Sequence, residues 1–255
     1  MNFHFDETLA EKYESKTQKI RVMSENWVGN NMFCPCCGNP HVLELENNEP
    51  VADFKCDNCC GVFELKSKEG NIGKKINDGA YSTMIRRITS ITNPELFILQ
   101  YSSNYIVTDL ILIPKFFFVP QIIEERKPLA STAQRAGWRG CNILYSKIPQ
   151  QGKIDIITNG IVRPVEQVVE KYTRIKKLET RNISSRCWLL DVLSCVNDIT
   201  TNQFCLQDVY KYIEVLQKKH PHNHHVKEKI RQQLQFLRDK GFIEFLGRGY
   251  YKKTF

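Results

Sequence analysis

The 255-residue sequence has no apolar run near the ~20 consecutive residues that a membrane span requires. A helical membrane protein is therefore not expected. The opening stretch, "MNFHFDETLAEKYESK", is charged throughout and lacks the apolar segment of a secretory signal. A cytoplasmic, reducing location is the expectation. There is no internal repeat and no low-complexity segment, which excludes solenoids and biased linkers. No surplus of amphipathic segments points to a permanent dimer, so a monomer in solution is expected. Negative charge is in short supply: 28 Asp and Glu against 36 Lys and Arg leave a formal net charge of +8. That excess suits a polyanion, because Lys and Arg contacts to phosphate supply most non-specific affinity for nucleic acid. The same excess also serves a protein whose charge only keeps it soluble, so charge alone does not decide.

With 42% hydrophobic and 25% charged residues, the chain can bury an ordinary globular core. Residues 6 to 24 carry Leu9, Tyr13, Ile20 and Met23 among charges, the pattern of one or two amphipathic helices. "NIGKKINDGAYSTMIRRITSI" reads as loop then helix. "ELFILQYS", "YIVTDLILIPKFFFV" and "KIDIITNGIV" read as strands, the last with an Asn-Gly turn. Strands mingled with helices predict an α/β fold with a mixed sheet. The polar, basic stretch "YTRIKKLETRNISSR" from residue 172 reads as a linker. Beyond it, "WLLDVLSCVND" and "FCLQDVYKYIEVLQKK" read as two helices, and a third carries Val226, Ile230, Leu234 and Leu237 on one face. Gly241 then serves as a C-terminal cap, and "FIEFLGRGYY" as a hairpin around Gly-Arg-Gly. Three helices followed by a hairpin is the order of a winged-helix domain. Trp27 and Trp188 read as core residues.

Six of the ten cysteines lie between Cys34 and Cys60. In a reducing compartment such a cluster points to metal rather than disulfides. Cys34-x-x-Cys37 and Cys56-x-x-Cys59 have the spacing of a structural zinc site, with two knuckle turns aiming four thiolates at one ion. Gly38 allows the first knuckle to turn sharply. Cys36 and Cys60 are adjacent spares, so the sulfur assignment stays open. Cys141, Cys187, Cys195 and Cys205 read as small core residues.

Asp53, Glu64 and Lys66 overlap this cluster. In a strand, Glu64 and Lys66 share a face, with Leu65 buried behind them. A neighbouring strand over 51–54 places Asp53 across the ladder. Apolar Val51, Ala52 and Phe54 flank the aspartate, and Val62, Phe63 and Leu65 flank the other pair. Two carboxylates and a backbone carbonyl offer hard oxygen ligands for Mg²⁺, and a lysine beside them can hold a water and stabilise charge on a phosphate. This is the Asp-(x)ₙ-Glu-x-Lys arrangement of metal-dependent nucleases, which also occurs by chance in solvated strands. Interleaving the motifs has a physical reading. The Cys56–Cys59 knuckle is the turn of the hairpin, and zinc fixes a register whose slip by one residue would turn Glu64 and Lys66 away from Asp53.

"MNFHFDETLAEKYESKTQKIRV", "ENNEPVADFKC", "FELKSKEGN", "INDGAYSTM", "RKPLASTAQRAGWRGCNI" and "VKEKIRQQLQFLRDK" resemble the DpnI-like, methyl-directed type II restriction endonucleases, over nearly the whole chain. The resemblance implies a PD-(D/E)xK nuclease domain with structural Zn²⁺ over 1–180 and a winged-helix DNA-binding domain over 181–255. It implies Mg²⁺-dependent cleavage of double-stranded GATC sites carrying N6-methyladenine, with blunt ends. Asp53, Glu64 and Lys66 match the catalytic positions, and the Leu65 carbonyl would complete the protein ligands of Mg²⁺. Ala52 replaces the usual proline before Asp53, a position that is not a ligand.

Two segments are candidates for reading DNA. The third helix of the C-terminal domain has Lys227, Lys229, Arg231, Gln232 and Gln233 on the face expected to be exposed, with His224 and His225 at its start. Arg pairs with guanine O6 and N7, and Gln with adenine N6 and N7, although such runs also serve as plain solvated faces. Arg248 in the wing is a phosphate-contact candidate. The loop "RKPLASTAQRAGWRGCN" sets Trp138 among Arg126, Lys127, Arg135 and Arg139. Trp138 either packs in the core or touches a base edge or methyl group; in the resembled family the matching tryptophan lies near the methylated adenines. One methyl group in a pocket is worth only about 1–3 kcal/mol, so two readers, one per domain, are expected. A zinc-containing winged-helix regulator with a vestigial acid set is the competing reading.

Overall fold

A computed structural model describes residues 1–45, 52–90 and 92–255. Val51 lies outside the described residues. The chain divides into two compact units: one of Met1–Ile148 with Gly152–Lys176, the other of Pro149–Gln151 with Lys177–Phe255.

The first unit is built on a mixed seven-stranded sheet. Its strands are β1 (Leu43–Glu44), β2 (Phe54–Lys55), β3 (Val62–Glu69), β5 (Glu95–Tyr101), β6 (Val107–Ile113), β9 (Ile154–Thr158) and β10 (Ile161–Val162), in that spatial order. All neighbours are antiparallel except β3 and β5. All seven residues of β5 are buried, as a strand covered on both faces requires. β3 is different: Phe63 is buried, but the rest of the strand opens progressively to solvent. Leu65 is half-buried rather than fully covered. Phe63 and Phe97 stack at 4.9 Å beneath the start of β3 and are both fully buried. Asn159 and Gly160 both have positive φ and close the β9–β10 hairpin as a two-residue loop, as Asn-Gly predicts.

Helix α1 (Lys16–Asn31) packs against β3 and buries Ile20, Met23, Trp27 and Val28. Residues 6–24 fall in two helical elements, one of the two expected arrangements: a short 3-10 turn at Glu7–Ala10 precedes α1, which runs on to Asn31. Trp27 donates its indole N–H to the Asn2 carbonyl at 2.7 Å. A second sheet orders β4 (Ile76–Ala80), β8 (Gly140–Ile143) and β7 (Ile123–Glu125), and α2 (Tyr81–Thr89) follows β4 directly. β4 was read as loop; its residues are mostly half-buried or exposed, so no apolar alternation marks it. Helix α3 (Val165–Lys176) ends the unit, its Tyr172 hydroxyl donating to buried Glu95 at 2.9 Å. The linker expected from residue 172 is correspondingly shorter. Tyr172 and Ile175 are buried on α3, and only residues 177–182 connect it to α4 (Ile183–Asp198).

The second unit continues with β11 (Gln203–Cys205), α5 (Leu206–Tyr210), α6 (Ile213–Lys219), α7 (Val226–Asp239), β12 (Ile243–Gly247) and β13 (Tyr250–Lys253). "FCLQDVYKYIEVLQKK" is therefore not one helix. Cys205 pairs with Tyr250 in the sheet, and Tyr212 leaves the helical region at ψ 4° between α5 and α6. α4 buries Trp188 and almost every neighbour, and α7 buries Val226, Ile230, Leu234 and Leu237. Gly241, at φ 75°, ends α7 with its N–H on the Arg238 carbonyl and the Phe242 N–H on that of Leu237. Gly247, Arg248 and Gly249 all have positive φ, forming the tip of the β12–β13 wing. This is a helix-turn-helix unit with a three-stranded wing sheet, β11-β13-β12.

Truncating the aromatic pair should loosen the strand that carries Glu64. Phe97→Ala is expected to cost the first unit about 3–5 kcal/mol, read from the denaturant midpoint of its unfolding transition. An unchanged midpoint would show that the stack contributes nothing there.

Candidate functional site

The two cysteine pairs are built alike. In the first, the Gly38 N–H bonds to the Cys34 carbonyl at 2.8 Å, and Gly38 takes φ 79°. In the second, the Cys60 N–H bonds to the Cys56 carbonyl at 2.9 Å, and Cys60 takes φ 58°. The left-handed residue after each pair folds the sulfurs back toward one point. The Sγ atoms of Cys34 and Cys59 stand 3.6 Å apart, and those of Cys37 and Cys56 stand 3.7 Å apart. All four lie within 4.8 Å of one another. A tetrahedral ion with sulfurs at about 2.3 Å separates them by about 3.8 Å, so the four thiols fit zinc. Cys36 and Cys60 lie outside this group. Burial opposes ionisation of Cys37, but the Asn58 amide at 3.4 Å, the Asn39 backbone N–H and the Cys34 and Cys56 thiols bring its thiol down to about 7. Such a shift favours the thiolate that a metal needs.

Beyond the second knuckle the chain enters β3. Phe54 pairs with Phe63 and Lys55 with Val62, so the knuckle is the turn of this hairpin. Asp53 precedes β2 at a bend, rather than lying within a strand over 51–54, and its N–H still bonds to the Phe63 carbonyl at 2.8 Å. The Leu65 N–H donates to Asp53 Oδ2 at 2.6 Å, which brings the aspartate beside Glu64 and Lys66. All four residues line one cleft of about 680 Å³ between α1 and β3. Burial pushes the Asp53 carboxyl above its usual range; the Leu65 N–H opposes this, and the charge of Glu64 adds to it.

Glu64 is held on both oxygens: Lys66 Nζ lies 2.6 Å from Oε1, and Arg87 Nη2 lies 2.9 Å from Oε2. Lys66 also reaches Asp78 Oδ1 at 2.7 Å. Burial alone would lower the Lys66 pKa, but Glu64 and Asp78 together raise it above the ordinary lysine value. The carboxylates thus stand in a setting already arranged for positive charge. A hard, divalent cation fits this oxygen donor set. Sequence reasoning missed Asp78 and Arg87, which tertiary pairing brings in. It also missed Glu25, which lines the same cleft, is nearly buried and pairs with Arg21 Nε at 2.7 Å. The i to i+4 spacing on α1 was the available signal for that pair.

The nucleic-acid candidates divide by exposure. Lys227, Arg231 and Gln232 are exposed on α7, and Lys229 is half-buried with its Nζ 2.8 Å from Gln232 Oε1. Gln233 departs from expectation. It is only 6% exposed, because positions 226, 230, 233 and 237 repeat along the apolar stripe and carry it inward. Gln235, unremarked in the sequence, is exposed instead. Arg231 pairs with Glu228 at 2.9 Å on the open surface, an attachment weak enough to exchange for another partner. His224, His225 and Arg248 are exposed. Trp138 is half-buried: its ring lies on the backbone of Gly140, where an added Cβ would come within 2.8 Å of it. The Arg135 guanidinium covers the ring at 5.4 Å from its centre. Arg139 is exposed, with Nη1 3.0 Å from Glu125.

The chain matches the DpnI family, described as the Dam-replacing family, over residues 1–181. It matches the C-terminal module of that family, the Dam-replacing helix-turn-helix domain, over residues 184–253. The chain belongs to this family of methyl-directed restriction endonucleases, and its second unit is a DNA-binding helix-turn-helix domain.

The zinc assignment has a direct check. Full-length protein should contain about one zinc per chain by elemental analysis, and so should Cys36→Ser and Cys60→Gly. Cys34→Ser or Cys56→Ser should lose the metal and fold in lower yield. Full zinc content in either of the latter two, or loss in either of the former, would contradict this ligand set.

Proposed function

We propose that this member of the Dam-replacing family cleaves double-stranded DNA at GATC sites carrying N6-methyladenine, in a Mg²⁺-dependent reaction that leaves blunt ends. The observation that carries the reading is the convergence of Asp53, Glu64 and Lys66 on one cleft, fixed by the Leu65 N–H bond to Asp53. A DNA-binding regulator has no need of this set. The first unit is the nuclease, of the PD-(D/E)xK type, and the helix-turn-helix unit is its DNA-binding partner domain. Zn²⁺ is structural here: four thiolates close its shell and leave no open position for substrate.

Mg²⁺, held by Asp53, Glu64 and the Leu65 carbonyl, would supply a Lewis acid at the scissile phosphate. The side chains do the rest. Lys66 orients the attacking water and faces the charge that develops on the phosphate. Arg87 holds the second oxygen of Glu64 and so sets the carboxylate's orientation. The Leu65 N–H does the same for Asp53. The basic cleft edge, with Lys68 and Lys75, suits the sugar–phosphate backbone. On the reading side, Arg231 and Gln232 of α7 face base edges in the major groove, Lys227 and Lys229 face phosphates, and Arg248 at the wing tip adds a further phosphate contact. Trp138 and Arg139 read the methylated adenine from the nuclease unit.

The assignment of chemistry is tested by separating cutting from binding. Asp53→Ala, Glu64→Ala and Lys66→Ala should each lose at least about 100-fold in cleavage of methylated duplex while binding it within a few-fold of the parent, since the lost contacts matter most in the transition state. A variant that cuts at the parent rate removes its residue from the site. Methyl reading is tested with the full chain. Trp138→Ala and Arg231→Ala should each reduce the preference for methylated over unmethylated duplex by about 10-fold, the range of one lost contact of 1–3 kcal/mol. If only Trp138→Ala does so, the nuclease unit reads the methyl group alone.

A further inference from the structure

Lys66 sits between two carboxylates, only one of which belongs to the Asp-(x)ₙ-Glu-x-Lys pattern. The other, Asp78, comes from β4, in the second sheet. Its side chain is 7% exposed, and its Oδ1 lies 2.7 Å from Lys66 Nζ. The same oxygen accepts the Gly79 N–H at 2.7 Å, so its position is fixed by its own backbone. Gly79 is the extra residue of a β-bulge: Asp78 pairs with Cys141 and Ala80 with Gly140, leaving Gly79 unmatched. Bulges of this kind re-aim a side chain, and here Asp78 is directed at the catalytic lysine.

The C-terminal end of β4 adjoins the loop of Trp138. Ala80 pairs with Gly140, the residue on whose backbone the Trp138 ring rests. The Tyr81 N–H bonds to the Arg139 carbonyl at 3.1 Å, and the Arg126 N–H to the Gly140 carbonyl at 2.9 Å. Asp78 is thus two residues from the strand position that supports the tryptophan. Directly after β4, α2 delivers Arg87 to Glu64. One continuous segment, 76–89, therefore touches both members of the Glu-x-Lys pair and also adjoins the end of the Trp138 loop.

Once Glu64 serves a cation, Asp78 is the carboxylate left to hold the Lys66 ammonium. A lysine side chain gives up much of its rotamer freedom when fixed, and a second, buried partner is what keeps it fixed. Resting on the function proposed above, we propose that Asp78 is a positioning residue for Lys66 and couples it, through the β4 bulge, to the Trp138 loop. The enzyme then demands the methyl group in the rate of cutting as well as in binding.

The test uses full-length parent, Asp78→Asn, Asp78→Glu, Trp138→Ala and the Asp78→Asn/Trp138→Ala double variant. Cleavage of methylated duplex is measured in single turnover, and binding without divalent cation. Lys66 acylation in the free protein is mapped by peptide mass spectrometry. Asp78→Asn should cut about 10-fold or more slowly with binding within about twofold, and Asp78→Glu should recover part of the rate. Lys66 should be acylated faster in Asp78→Asn, while Lys68 and Lys75 keep the parent rates. In the Asp78→Asn background, Trp138→Ala should slow cutting by less than about twofold, far less than in the parent, the non-additivity expected of coupled residues. An Asp78→Asn enzyme that cuts at the parent rate overturns the positioning role. Full multiplication of the two single effects overturns the coupling. A parent that leaves methylated DNA intact overturns the nuclease reading itself, and the inference with it. The acylation result distinguishes these failures, because it needs no cleavage.

Discussion

The site depends on the register of one hairpin. β2 and β3 meet at Phe54–Phe63 and Lys55–Val62, and every later contact assumes that pairing. The Asp53 N–H finds the Phe63 carbonyl, and the Leu65 N–H finds the Asp53 carboxylate, only in this register. A slip by one residue would exchange the two faces of β3 and send Glu64 and Lys66 to the other side. β2 is two residues long, far too short to hold its register by ladder bonds alone. The four sulfurs supply what the ladder lacks. Cys56 and Cys59 form the turn of the hairpin, and an ion shared with Cys34 and Cys37 would tie that turn to the segment after α1. On the proposed reading, the cysteine cluster and the Asp53, Glu64 and Lys66 set overlap in sequence because the one locates the other.

The electrostatics of the site follow from the same placement. Buried carboxylates are costly unless paired, and here each has a partner. Asp53 takes a backbone N–H, Glu64 takes Lys66 and Arg87, and Asp78 takes Lys66 and its own bulge. Glu64 and Lys66 come from β3, Arg87 from α2 and Asp78 from β4, so the charge balance can form only after the two sheets of the first unit have come together. Glu25, paired with Arg21 on α1, adds a further carboxylate to the same cleft.

Much of this was legible in the sequence, and the exceptions have physical causes. The four-cysteine cluster follows from spacing alone, yet Cys36 and Cys60 were separable from it only in three dimensions. One neighbours a ligand pair from inside, and the other occupies the left-handed position after it. The apolar stripe of α7 was readable, and it also implied the burial of Gln233, whose amide made it look like a surface residue. The α3 helix was hidden because its buried Tyr172 and Ile175 are spaced among Lys and Arg. β4 has no alternation to betray it, so Asp78 and Arg87 could not be assigned to Lys66 and Glu64: twelve and twenty-three residues separate the partners, and only the folded sheet order joins them.

If zinc sets the register that the active site requires, its removal should be felt in β3 before anywhere else. Hydrogen exchange on the full chain, with zinc bound and after chelation, measures this directly. The account predicts that amides from Phe54 to Glu69 exchange on the order of tenfold faster or more without zinc, while those of α7 keep their protection. Unchanged protection of Leu65 in zinc-free protein would contradict it, because the aspartate–lysine geometry would then stand without the metal.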